Sequence, residues 1–252
     1  MQLTRSIESV PPRYRHVFGQ MIVREVTDIT AFLDLVRREQ ADNPDMAVFI
    51  TLDDLDQALY TSMHATESDD LEIDTDDLDF LADPQAEEVS QRRQFVHTSA
   101  QLAAPGLRVA WSDLRGSREG AAEDIDVLVA VNSDPLKVID DVVVLLHVPV
   151  HDRTAAIAAM PNGYFSEDWN TFQNHAATRH LADAYGYRPL GIGASWIGFV
   201  RDAPLSIESA AALVAELATV YGAPDSAGWN RLAAELTRQS TLFLGYTGNF
   251  AD

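Results

Sequence analysis

Cysteine is absent from this 252-residue chain, which excludes disulfides, thiolate metal sites and a cysteine nucleophile. Lysine is nearly absent too: of the 18 basic residues only Lys137 is a lysine, and no dense run of Arg or Lys occurs. Long apolar runs are missing. The longest, Val142 to Leu146, extends to Val150 only through His147 and Pro149, far short of the roughly 20 residues a membrane helix needs. The opening MQLTRSIESVPPRYRH has no apolar stretch of signal-peptide length. These absences lead to the expectation of a cytoplasmic chain with no membrane contact and no direct nucleic-acid contact.

Acid is present in excess. Asp and Glu number 39, so the formal net charge is −21. A field of that sign repels phosphates and anionic lipids; it serves solubility, or attraction to a basic protein partner. Hydrophobic residues make up 46 %, enough to bury a sizeable core and too many for a wholly disordered chain.

The pattern along the chain predicts an α/β fold, a largely buried central sheet flanked by helices. Strands are expected over 17–26, 46–52, 107–111, 125–131, 142–150 and 187–200, where short apolar runs rich in Val, Ile and Leu are bounded by polar turns. Residues 1–16 read as an arm broken by Pro11-Pro12. Helices are expected from Asp28 or Thr30 to Gln40, from Pro84 to Ala104, briefly from Asp152 to Met160, from Ser166 to Tyr185, from Ser206 to Tyr221 and from Asp225 to Ser240. Gly186 and Gly222 stand where C-terminal glycines belong.

Residues 67–88 differ from the rest. Eleven of these 22 are acidic and none is basic, with Leu71, Ile73, Leu78, Phe80 and Leu81 interspersed. One globular domain carrying an acidic loop is the expected organisation; a split into 1–75 and 84–252 is the alternative. Asp69, Asp70, Glu72, Asp74, Asp76, Asp77 and Asp79 become candidate partner-binding residues, because unpaired carboxylates at this density must face water, distant arginines or a partner. The run is not an EF-hand: starting from Asp74, Asp79 stands where the turn needs glycine and Gln85 where a bidentate Glu belongs.

Three further motifs bear on chemistry. Gly116-Ser117 followed by Asp124-Ile125-Asp126 resembles the nucleotidyltransferase superfamily signature over about 15 residues. That resemblance implies a Gly-Ser turn for nucleotide phosphate and two carboxylates, Asp124 and Asp126, sharing Mg²⁺ on a strand, with Ser117 beside them and Asp140 or Asp141 as candidates for a third acid. Only six residues separate Ser117 from Asp124, fewer than the family usually has. His147 and His151 are in phase for an extended segment and are candidate metal ligands, with Asp152 near. Gly191-Ile-Gly-Ala-Ser-Trp-Ile-Gly198 lacks the glycines of a nucleophile elbow or a dinucleotide loop, and reads as close backbone packing under a helix. The aromatic residues between Tyr164 and Phe199 read as core more than as surface.

Two function classes follow. The first is a non-enzymatic acidic binding protein, immunity- or antitoxin-like, that antagonises a basic partner and needs no cofactor. The alternative is a Mg²⁺-dependent nucleotidyltransferase-like enzyme using Asp124 and Asp126.

Overall fold

A computed structural model describes residues 1–4, 15–118 and 120–251. Seven strands form one sheet in the order β1-β2-β4-β3-β5-β6-β7: β1 (Gln2–Thr4), β2 (Gly19–Arg24), β3 (Ala47–Thr51), β4 (Val142–Val148), β5 (Arg188–Ile192), β6 (Trp196–Val200) and β7 (Thr241–Gly245). Every neighbouring pair is antiparallel except β3 and β5, which run parallel. Strands β3, β6 and β7 are buried at every residue, because helices cover the sheet. The helices are α1 (Ile29–Asp42), α2 (Leu55–Ala65), α3 (Ala86–Ala103), α4 (Ala122–Ser133), α5 (Thr171–Tyr185), α6 (Ile207–Tyr221) and α7 (Gly228–Leu236). No helix among the described residues is long and apolar enough to cross a membrane. The α/β class expected from the sequence is the class observed.

Strands on both sides of the acidic segment alternate within this sheet. β4 inserts between β2 and β3, with Val23 opposite Val143 and Phe49 opposite Leu146. The local signals are physical. Asp28 caps α1 by accepting from the Thr30 and Ala31 amides at 2.9 and 3.1 Å. Ser206 caps α6, and Gly186 and Gly222 end α5 and α6 in the left-handed conformation at φ 69° and 70°.

Other expectations require correction. Residues 125–131 are not a strand but the body of α4. Ile125, Leu128, Val129 and Asn132 are buried and recur at i, i+3, i+4 and i+7, a helical period hidden inside a nearly continuous apolar run. Residues 107–111 are no strand either; 3₁₀ turns at Pro105–Leu107 and Trp111–Leu114 flank them, the first set by Pro105. Arg153–Ala159 is 3₁₀, started by Asp152 accepting from the Thr154 amide. α5 starts five residues beyond Ser166, where Asn170 and Gln173 form a reciprocal capping box. α7 stops at Leu236, and β7 follows in a stretch where the sequence pattern predicts no strand. Within the arm, Gln2–Thr4 pairs with β2, and Pro11-Pro12 lies outside the described residues. The small residues of 191–198 do pack closely, but against strands: Gly191 lies on the Ile50 backbone and Gly198 on Phe243 and Leu52. Trp196 and Phe199 are buried, so Trp196→Ala should cost about 3–5 kcal/mol in denaturant unfolding.

Asp53, just past β3, holds the β5–β6 turn. Its carboxylate accepts from the Ser195 and Trp196 amides at 2.9 and 3.2 Å. Burial pushes its pKa up to about 7, against the lowering effect of those amides. The folded chain therefore keeps a proton there that the unfolded chain sheds near pH 4, so this contribution to stability falls as pH rises from about 4 through 7. His16 and His175, lowered by burial to about 4, act oppositely, and their effect is complete by about pH 6.5. Between about pH 6 and pH 8, wild type should lose about 1 kcal/mol of stability relative to Asp53→Asn in urea titrations. Parallel pH curves for the two proteins would contradict the buried, protonated carboxyl.

Candidate functional site

The residues of the nucleotidyltransferase resemblance do not meet. Asp124 and Asp126 are two apart on a helix, about 200° of rotation, and point away from each other. Asp124 accepts from the Ala121 amide at 2.6 Å, capping its own helix. Asp126 forms an ion pair with Arg231 of α7. Ser117 accepts the indole N–H of buried Trp169 at 2.8 Å. The amides of Gly116, Arg118 and Gly120 donate to the carbonyls of Thr219, Val220 and Tyr221, satisfying the end of α6. The Gly-Ser turn therefore serves as a clasp on a helix end. Asp140 accepts from the Leu55 amide at 2.6 Å, and Asp141 is exposed.

The two histidines also stay apart in role. β4 ends at Val148, so the strand phase that would align His147 with His151 is lost. His147 is half-buried, 3.6 Å from Glu39 of α1, with its pKa lowered by desolvation against the raising effect of that carboxylate. His151 is exposed. Among the described residues no group of three or more His, Asp or Glu side chains is arranged to hold a metal.

The acidic segment presents a different picture. It connects α2 to α3 without regular structure, yet it is anchored. Leu71 is fully buried, and its carbonyl accepts from Gln94 of α3 at 2.7 Å. Arg93 of α3 grips Asp77 with two bonds, 2.6 and 2.8 Å, and holds that carboxyl below its usual pKa. Asp74, Asp79 and Asp83 turn back on the chain, accepting from the amides of Asp76, of Leu81 and Ala82, and of Gln85. Of Asp69, Asp70, Glu72, Asp74, Asp76, Asp77 and Asp79, only Asp77 has an ion pair among the described residues, and all seven are exposed. Phe80 is half exposed and Leu81 fully so. The segment is thus a ridge anchored at Leu71 and Asp77, on which six of the seven carboxylates lack an ion pair among the described residues and Phe80 and Leu81 are exposed beside them.

α2 leads into this ridge, where the expectations from sequence place no element. Its own signal was legible: Asp54 caps it through the Gln57 amide, and Leu55, Ala58 and Leu59 follow at helical spacing. One face is outward. Tyr60 is 52 % exposed and Met63 55 %, beside Tyr164 at 47 % and Phe165 at 53 %. The rings are contiguous: Tyr60 meets His64 at 4.4 Å, His64 meets Tyr164 at 5.0 Å, and Tyr164 meets Phe165 at 5.2 Å between centroids. The expectation of core for the 164–199 aromatics holds for Trp169, Tyr187, Trp196 and Phe199 and fails for Tyr164 and Phe165. His64 bonds Glu67 at 3.0 Å, joining the aromatic patch to the start of the acidic run. Between α2 and α3 lies a groove of about 1000 Å³, floored in part by Leu59, Phe95, Ala158 and Ala159, with Met63 and Glu87 along it.

A patch of exposed aromatics beside clustered carboxylates is chemically suited to bind protein. Tyr and Phe bury much area with few torsions to freeze, and unpaired carboxylates attract cations at range. No family model, no curated protein and no solved structure matches this chain.

Proposed function

We propose that this chain is a binding protein for a positively charged protein, acting as an antagonist of the immunity or antitoxin kind through the face formed by the acidic segment and the outward side of α2. One observation carries the reading. Six of the seven carboxylates from Asp69 to Asp79 stand exposed and without an ion pair among the described residues, on a segment tied down by Leu71 and Asp77. An ordered, uncompensated acidic ridge already bears the repulsion among its own charges, and a cationic partner relieves it. Anchoring also lowers the ordering cost of association.

The test compares two sets of neutralised carboxylates. Asp69→Asn, Asp70→Asn, Glu72→Gln and Asp76→Asn together should weaken binding of a lysine-rich peptide at low salt by about tenfold, at a few tenths of a kcal/mol per exposed charge. Asp42→Asn, Asp45→Asn, Asp141→Asn and Asp183→Asn remove the same charge from exposed positions elsewhere and should leave affinity within about twofold. Association should slow several-fold as ionic strength rises to about 0.5 M. Equal loss in the two quadruple variants would reduce the effect to net charge and remove the ridge from the function.

A further inference from the structure

We infer that the groove between α2 and α3 seats the apolar face of a basic amphipathic helix. This rests on the binding role proposed above and specifies what that role recognises.

The groove's walls set the shape of the occupant. It is flanked by two helices, and several of its polar side chains are already bonded. Gln91 accepts from the Val17 amide at 2.8 Å, and Gln94 donates to the Leu71 carbonyl and to Thr98. The ring of His16 bonds the Ala159 carbonyl at 2.8 Å. A helical occupant brings its own backbone hydrogen bonds with it and needs only apolar contact from the walls. That contact is on offer: Leu59, Met63, Phe95 and Pro161 line the groove, and its volume of about 1000 Å³ admits several side chains.

The rim sets the charge of the occupant. Glu87 and Glu88 open α3 at the groove, and Pro84 brings the end of the acidic segment to its edge. Glu88 is shared with Arg92 at 2.9 Å, and Glu87 is held by the Gln91 amide, so both are fixed in place. Among the described residues, Arg15 is the one arginine or lysine along the lining. The ridge that begins one turn after α2 supplies the rest of the field. A second copy of this chain, at −21, is repelled, and so is nucleic acid. A helix with lysine or arginine on one face and leucine-type residues at i, i+3, i+4 and i+7 on the other satisfies both the floor and the rim.

The experiment uses two synthetic peptides of identical composition. One is ordered as a basic amphipathic helix; the other is scrambled so that no apolar face forms. With the full chain at low salt, the ordered peptide should bind about tenfold tighter by fluorescence anisotropy, since burying even one more large apolar side chain is worth that much. Met63→Gln should bring the ordered peptide down to the scrambled level while leaving the melting temperature unchanged, because Met63 is half exposed. Ile207→Ser, which removes an exposed apolar side chain of α6 outside the groove, should leave the preference intact. Equal binding of the two peptides, or a preference insensitive to Met63→Gln or abolished by Ile207→Ser, would overturn the groove as the seat. Those outcomes leave the charge reading standing so long as the ridge quadruple variant still weakens both peptides. If that variant weakens neither, the parent reading fails instead.

Discussion

Gly191→Ala is expected to destabilise the fold by more than about 3 kcal/mol, enough to lower the folded fraction at physiological temperature. Gly191 lies opposite Ile50, where β3 and β5 form the one parallel pairing in the sheet. A Cβ at this position would lie well inside contact distance of the Ile50 carbonyl oxygen and 2.6 Å from Ile50 Cγ1. Neither can give way. The carbonyl belongs to a strand buried at every residue, and Ile50 is fully buried among neighbours of the core. Relief would require moving β5 away from β3, which opens the joint between the two halves of the sheet. Urea unfolding of the variant would measure this directly. A midpoint within experimental error of wild type would mean that the parallel pair does not hold the sheet together.

The second large effect is expected at Asn132, a buried amide on α4. β7 is an edge strand, pairing only with β6, and an edge leaves outward N–H and C=O groups without partners. Asn132 fills that role with its side chain. Its Oδ1 accepts from the Phe243 amide at 2.9 Å and its Nδ2 donates to the Phe243 carbonyl at 2.8 Å. One residue thus imitates the next strand of the ladder. Asn132→Leu keeps the volume and strands two fully buried backbone groups, at about 1–3 kcal/mol each, so a loss of about 2–6 kcal/mol and a fall of roughly 5–20 °C in melting temperature should follow. Aggregation on heating should increase as well, because the edge becomes available to other chains. An unchanged melting temperature would show that water replaces the amide at no cost.

The sequence disclosed those parts of the fold whose signals are local. Caps at Asp28 and Ser206, the closing glycines at 186 and 222, and the apolar strands at 19–24, 47–51, 142–148 and 188–200 needed no tertiary information. α4 reads as a strand from sequence for a reason that Asn132 makes plain. Its run IDVLVAVN is apolar on nearly all sides because α7 and β7 cover it, and periodicity fades when a helix is buried on more than one face. β7 has a weak sequence signal because its five residues, TLFLG, directly follow the polar stretch that ends α7. The acidic ridge was visible as composition, whereas its anchorage was not: the pairing of Asp77 with Arg93 and the burial of Leu71 depend on where α3 folds back. The outward stripe of α2 and the Tyr164–Phe165 pair come together only in three dimensions.

The Gly-Ser and Asp-x-Asp elements illustrate the converse. Their spacing suits a metal site only on a strand. In this fold Asp124 caps α4, Asp126 pairs with α7 and Ser117 accepts the Trp169 indole while its neighbours clasp the end of α6, structural duties that account for all three residues.

The central claim is that a positively charged protein is held on the α2 and acidic-ridge face. Amide hydrogen exchange on the full chain, with and without the lysine-rich peptide at low salt, tests it most directly. Slowed exchange confined to residues 55–88 and the first turns of α3, with β5, β6 and β7 unchanged, is the result the account predicts. Protection that falls on another face, or none at saturating peptide, would contradict it.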